Sequence, residues 1–339
     1  MVVRQWVRRF KRMFESRAVV LMYHRVADLD ADPWELAVQP VNFEQQLAVL
    51  KKKFHVVSVT ELVAYFKKGS IPAHCVCVTF DDGYSDNFYN ALPLLQEHQC
   101  PASFFITTDL IDQKALFWWD ELQDLILAPG VLPPVFSLAI DGLELTYYLQ
   151  EDAVLSESKW QLQCGWIAAE AAPTRRCELY LLLWNKLRPL TNAVLQSALR
   201  AIRLWADYEK RADRLNWPLT RTQLQKMAEH PLVDMGFHTL SHPCLSYHSY
   251  SSQYQEIVQS RTAIHQLCKN ATHLFTYPYG NFNDTTLEIV KAEKLTAAFS
   301  TKEATVSKRS DPYCFGRFQV KNWNGPDFER QLSLWIKKF

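Results

Sequence analysis

The sequence predicts an α/β protein built on a parallel sheet, and three observations carry that prediction. Short apolar runs rich in β-branched residues recur along the chain, as in "RAVVLMYH" and "CVCVTF". Stretches with apolar residues at helical spacing separate them, as in "NFEQQLAVLKKKF". The chain has 339 residues, 48% of them hydrophobic and 22% charged, enough for one large core or two smaller ones. Strands alternating with helices imply a parallel sheet, either open or closed into a barrel.

Residues 17–24 read as a buried strand, and Phe43, Leu47, Leu50 and Phe54 then line one face of a helix. "HVVSV" is a short strand. "TELVAYFKKG" is a helix, with Thr60 as a candidate cap and Gly69 just past its end. Residues 75–80 form the next strand, "NFYNALPLLQEHQ" is mostly helical despite Pro93, and residues 102–107 are another strand. The alternation returns with the strand at 233–238 and the helix "SQYQEIVQSRTAIHQLCKN". After these come "HLFTY", the helix "DTTLEIVKAEKL", the strands "TAAFS" and "CFGRFQV", and a closing helix "PDFERQLSLWIKKF".

Residues from about 112 to 217 break this rhythm. "VFSLAIDGLELTYYL" has the pattern of a hairpin around Asp141 and Gly142, and Leu- and Trp-rich helical stretches follow it. The segment reads as a mainly helical insertion that caps the main domain.

A formal net charge of +1 gives no electrostatic case for nucleic acid as a partner. Eleven Trp and 14 Tyr suit a large core or a surface that stacks on flat ligands such as sugars. None of the eight cysteines forms a C-x-x-C pair, so free thiols in a reducing compartment are expected. Residues 1–16 form a basic segment without the apolar run of a signal peptide. Its spacing fits a short amphipathic helix able to touch an anionic membrane surface, or equally one packed on the domain. The expected location is therefore cytoplasmic, or at the inner face of the membrane.

The chemistry concentrates at two strand ends. In "VTFDDGYSDN" an apolar run ends in Asp81 and Asp82, two adjacent like charges. Taken alone, "DDG" is equally a polar turn. In "GFHTLSHPCL" His238 and His242 lie four apart at the end of another strand. Two His and a carboxylate make a common divalent-metal set with positions left open for water. Such an ion would relieve the Asp–Asp repulsion, with one Asp as ligand and the other free as a base.

"TFDDGY", then "HTLSHP", then "YPYG" together resemble the polysaccharide deacetylases of the NodB-homology family. The likeness spans about 17–110 and 218–325 and leaves the insertion out. It implies a distorted (β/α) barrel over residues 17–339, and a metal-dependent hydrolase that removes acetyl groups from sugars. It further implies Asp81 as catalytic base, and Asp82, His238 and His242 as ligands of one divalent ion, usually zinc. Pro278, Tyr279 and Gly280 would shape the substrate pocket, with the Tyr279 backbone N–H helping to hold an oxyanion.

Two family features are missing. Thr276 stands where many members have Arg, and the C-terminal Leu-x-His that carries the acid is absent from "QLSLWIKKF". Arg317 is the candidate to replace the Arg, because a guanidinium fork matches a carboxylate. His24 is the candidate acid: it ends the first strand at the same polarity as Asp81, and some relatives carry the acid on an N-terminal Tyr-His segment. His74, which precedes its strand, and His265, in a helix, compete less well.

The function expected is deacetylation of an N-acetylated sugar in a glycan or glycan precursor. The alternatives are a catalytically weak carbohydrate-binding relative and an amidase acting on a non-sugar amide.

Overall fold

The computed structural model describes residues 16–207 and 217–338, so the basic segment at 1–16 lies, but for its last residue, outside the described residues. Its frame is one parallel sheet of eight strands. They are β1 (Ala18–Tyr23), β2 (His55–Val56), β3 (Cys75–Phe80), β4 (Ala102–Ile106), β7 (Val233–Phe237), β8 (Leu274–Thr276), β9 (Ala297–Phe299) and β10 (Phe318–Gln319). The order is β9-β8-β7-β4-β3-β1-β10, with β2 also paired to β3. Two further strands, β5 (Val135–Ile140) and β6 (Leu143–Tyr148), form a separate antiparallel hairpin, and the two-residue strands Arg25–Val26 and Ala37–Val38 form a small parallel pair.

Every residue of β1, β3 and β4 is buried. That explains their unbroken apolar runs: a parallel strand covered on both faces has no wet side to mark by alternation. The period of two reappears in the packing. Val19, Leu21, Tyr23, Val76, Val78 and Phe80 share one cluster with residues of the helix Pro40–Lys53. Ala18, Val20, Cys75 and Cys77 share another with the helix Val59–Lys68. The sheet curls without its edge strands pairing. Residues 300–317 bridge the gap, where Ala298 N–H donates to Pro312, Ser300 N–H to Phe315 and Val306 N–H to Ala18. The eight cysteines are unpaired, and among the described residues no helix is long and apolar enough to cross a membrane.

Three local expectations shift. The helix after β2 is capped by Ser58, in a reciprocal box with Glu61, and not by Thr60. The backbone turns at Ser58, where a side-chain oxygen can still reach the free N–H of the first turn. The helical stretch at Pro93 opens with a wide π turn, Asn87–Ala91, and Pro93 sits in the first turn of Leu92–Glu97, where its missing N–H costs nothing. "CFGRFQV" is a strand only at Phe318–Gln319, so Arg317 precedes the strand. A side chain at Gly316 would lie 2.6 Å from the carbonyls of Lys302 and Ala304, so the chain there packs tightly against residues 302–304 before it can pair with β1.

The insertion has its own core, including Phe117, Trp119, Leu122, Phe136, Tyr180, Leu183 and Leu199. The hairpin turns on Asp141 and Gly142, both at positive φ (48° and 78°), as a two-residue primed turn requires. Arg176 is buried without a carboxylate partner and donates instead to the carbonyls of Ala128, Gly130, Asp152 and Ala153 at 2.8–2.9 Å. It thereby ties the end of the helix Trp118–Leu127 to the segment after the hairpin. The insertion docks through aromatic side chains. Trp34 stacks on Trp184 at 4.2 Å and donates to the Tyr180 hydroxyl, and Trp118 donates to the Tyr279 hydroxyl.

Candidate active site

Because the strands are parallel, their C-terminal ends open on one edge, the usual place for a site in such a sheet. Tyr23 pairs with Phe80, so the next residues, His24 and Asp81, face each other across that edge. His238 follows β7, and Pro278–Gly280 is a single turn after β8.

The two aspartates part ways immediately. Asp81 accepts two hydrogen bonds from Arg317, Nη1 to Oδ1 at 2.8 Å and Nη2 to Oδ2 at 2.6 Å. Arg317 is fully buried, and its remaining donors meet Ser300 O and Thr79 Oγ1. Burial would raise the Asp81 pKa, but Arg317 and, less strongly, His238 and His24 hold it well below the carboxylate range.

Asp82 turns the other way, with φ at +72°. Its Oδ1 is buried with no hydrogen-bond partner, 3.6 Å from His238 Nε2 and 3.4 Å from His242 Nε2. All three donor atoms lie within 4.8 Å of one another. Ligands about 2.0–2.2 Å from a four-coordinate zinc stand roughly 3.3–3.6 Å apart, so the residues fit a small divalent cation. Burial and the neighbouring Asp81 push the Asp82 pKa well up, while burial pushes both histidines down. A carboxylate and two neutral imidazoles without a shared proton are what a cation would bind.

The loop that carries the histidines is tightly held. Thr239 and His242 have φ of 65° and 62°, and Tyr279 has 57°. With Asp82, four non-glycine residues of the site occupy the left-handed region, each at a cost of about 1–3 kcal/mol. Such strain persists only where surroundings impose it. Here Glu256 accepts from the N–H groups of Leu240 and Ser241 and from the Ser241 hydroxyl, and Thr239 Oγ1 accepts from His242 N–H. His238 Nδ1 lies 2.8 Å from Thr276 O and 2.6 Å from Thr276 Oγ1, which directs Nε2 at Asp82. Gly280, at φ +63°, lets the Tyr279 turn press on Thr301, whose hydroxyl would sit 2.1 Å from an added Cβ.

His24 is partly buried, with Nδ1 unpartnered. Burial lowers its pKa to about 4, with Asp81 pulling upward and Arg317 and His238 pushing down. Its backbone carbonyl accepts from Asn87 Nδ2. Asp86, fully buried, takes Arg25 Nε at 2.9 Å and Val26 N–H at 3.1 Å, and so locks the turn after β1.

The structure thus gathers His24, Asp81, Asp82, His238, His242, Tyr279 and Arg317 at one edge. It gives Thr276, noted in the sequence only for standing in place of an Arg, the task of holding His238, and it adds residues that local sequence did not mark: Glu256, Asp86 and Asn87. The last two were within reach, since they complete the "DDGYSDN" stretch. Glu256 lies mid-helix in Tyr250–Leu267 and carries no local signal.

The family model for polysaccharide deacetylase matches residues 68–130 and 201–298, leaving out much of the insertion. Poly-β-1,6-N-acetyl-D-glucosamine N-deacetylase of Escherichia coli (strain K12) is 30% identical over 111 residues, 31% of this chain and 16% of that protein. The protein of the same name from Staphylococcus aureus (strain MSSA476) is 30% identical over 115 residues, 30% of this chain and 39% of that one. The matched stretches therefore span well under two thirds of these relatives. The deacetylase PplD of Streptococcus pyogenes, solved in complex with acetate, has a TM-score of 0.58 at 18% identity, covering 94% of this chain and 98% of that one. At that identity the likeness is one of fold.

Proposed function

Because the chain belongs to the polysaccharide deacetylase family, we propose that it hydrolyses the N-acetyl group of an N-acetylated sugar in a glycan or glycan precursor. One divalent ion, zinc in this reading, is held by Asp82, His238 and His242. The observation that carries the proposal is the buried, unpartnered Asp82 Oδ1 facing two imidazole Nε2 atoms, beside a second Asp paired to a fully buried Arg. The relatives' names favour β-1,6-linked N-acetylglucosamine as the first substrate class to try.

A cation held by Asp82, His238 and His242 would supply a Lewis acid able to lower the pKa of water from about 15.7 towards 7. Asp81 would take the proton of the attacking water, and Arg317 keeps it ionised and fixes its rotamer. The Tyr279 backbone N–H, carried on its left-handed turn, donates to the oxygen that gains charge as the carbonyl is attacked. Collapse expels an amine, which leaves only when protonated. His24, across the strand pair from Asp81, is the group that would deliver that proton; held neutral by burial at rest, it takes up the proton that Asp81, the weaker base, gives up and passes it to the amine, which restores both groups.

The test is acetate release from a panel of acetylated sugars, β-1,6-linked N-acetylglucosamine oligomers and nucleotide- and lipid-linked sugars among them, with and without chelator. Chelator-sensitive release from sugars alone is the expected result. Bound metal without acetate release from any sugar would leave a carbohydrate-binding relative, and equal release from small non-sugar amides an amidase.

A further inference from the structure

The two histidines of the candidate metal centre are held by different means. His238 has its second ring nitrogen fixed by Thr276, the usual support of a ligating imidazole. His242 Nδ1 is buried and has no hydrogen-bond partner. Its ring is gripped by packing instead, with the Trp119 ring centroid at 4.6 Å on one side and that of Tyr279 at 4.5 Å. Trp119 lies on the helix Trp118–Leu127, early in the segment at 112–217 and inside the stretch that the family model matches.

Trp119 is itself tightly placed. Its indole N–H donates to the Tyr84 hydroxyl at 2.7 Å, and that hydroxyl donates to Asp120 at 2.8 Å. Tyr84 is fully buried, with the Arg25 guanidinium 4.4 Å from its ring centroid and the Phe117 ring at 4.3 Å. Phe117 in turn stacks on Trp119 at 5.0 Å. Tyr84 lies two residues after Asp82. A closed circuit results: from Asp82 along the chain to Tyr84, by hydrogen bond to Trp119, by ring contact to His242, and back across the cation site to Asp82.

We propose that Trp119 is a positioning residue of the metal centre, fixing the His242 ring where no hydrogen bond does so. The helix Trp118–Leu127 is then a working part of the cation site and not only a cover over it. This rests on the metal-dependent reading above. Without the indole, His242 has free rotamers and an unsupported ring, and loss of such support costs metal affinity about 10–100-fold. Trp119→Phe keeps the ring contact but loses the bond to Tyr84. Tyr84→Phe loses the same bond from the other end and, with it, the bond to Asp120.

The test measures Zn²⁺ affinity by competition with a chromophoric chelator, together with the visible spectrum of the Co²⁺ form, which reports ligand geometry. Trp119→Ala is expected to weaken affinity about 10–100-fold and to change the spectrum; Trp119→Leu, bulky but without a ring, serves if the alanine variant does not fold. Trp119→Phe should retain most of the affinity. Tyr84→Phe removes that bond together with the one to Asp120, so the double variant should lose no more than Tyr84→Phe alone. Trp205→Leu, which removes the indole's bond to Val135 and its packing on Phe136 in the hairpin, is the structural control and should leave affinity and spectrum unchanged. Wild-type affinity and spectrum in Trp119→Ala would overturn the proposal, as would an equal loss of affinity in Trp205→Leu. Failure of the wild type itself to bind a cation would instead overturn the metal-dependent reading, and this inference with it.

Discussion

The two sides of the site differ in how fully their polar atoms are satisfied. On the Arg317 side every charge has a partner: both oxygens of Asp81 are taken, and the guanidinium also meets Ser300 and Thr79. On the Asp82 side a carboxylate oxygen and His242 Nδ1 are buried with no hydrogen-bond partner. A protein keeps a buried unsatisfied group, at a cost of about 1–3 kcal/mol, only where something else needs it. The first side is finished by folding alone. The second has the donor atoms of a cation site, spaced for an ion and facing one another.

The largest test of that contrast is removal of the cation. Chelation is expected to abolish acetate release, and added Zn²⁺ or Co²⁺ to restore it. Asp82→Ala and His238→Ala should lose the metal, measured by elemental analysis, and full occupancy in both would sink the ligand assignment.

The finished side should respond oppositely. Asp81→Asn should keep the metal and lower kcat about 10²–10⁴-fold, since an amide cannot act as a base. Arg317→Met should lower activity as well, and it leaves a buried carboxylate alone, at a cost of about 3–5 kcal/mol in stability. Urea titration of the two variants separates the effects. An Arg317→Met protein as stable as the wild type would mean that the pair contributes nothing net to the fold.

His24 sharpens the comparison through pH. Its pKa is lowered to about 4 by burial, from an unfolded value near 6.5. Between those values the unfolded chain binds more protons, so stability rises with pH across the window. The contribution from keeping His24 neutral is full above about pH 6.5 and is lost as pH falls through 4. His24→Gln should flatten that part of the pH–stability curve and slow amide cleavage, while an ester with a good leaving group should be affected much less. Equal losses on both substrates would leave His24 a structural role only.

The smallest expected effect is at the hydrogen-bonded histidine. Thr276→Val removes the hydroxyl at His238 Nδ1 but leaves the carbonyl, so metal affinity should fall several-fold at most, below the roughly 10–100-fold of a lost outer partner. A larger fall, read by the same chelator competition, would show that the hydroxyl and not the carbonyl orients the ring.

Much of this was legible in order of residues. Parallel strands buried on both faces read as short apolar runs, and a strand end is marked by the first charge that breaks one, as at Asp81 and His238. The motif order "DDG", "HTLSH", "PYG" carried the family and the metal set. The hairpin at Asp141 and Gly142 was visible because its turn admits few residue types.

What the tertiary structure alone decided lies in contacts between distant segments. That Asp81 and Asp82 point opposite ways depends on a left-handed φ at Asp82, which residue identity does not encode. Arg317 reaches Asp81 across 236 positions because residues 300–317 fold back over the sheet. Glu256 clamps the histidine loop from the middle of a long helix, and Trp119 comes from a helix that reads as an ordinary apolar core. Local sequence records the periodicity of an element and the chemistry at its ends. The partner of a buried polar atom is set by which segments pack together, and that is a property of the folded chain.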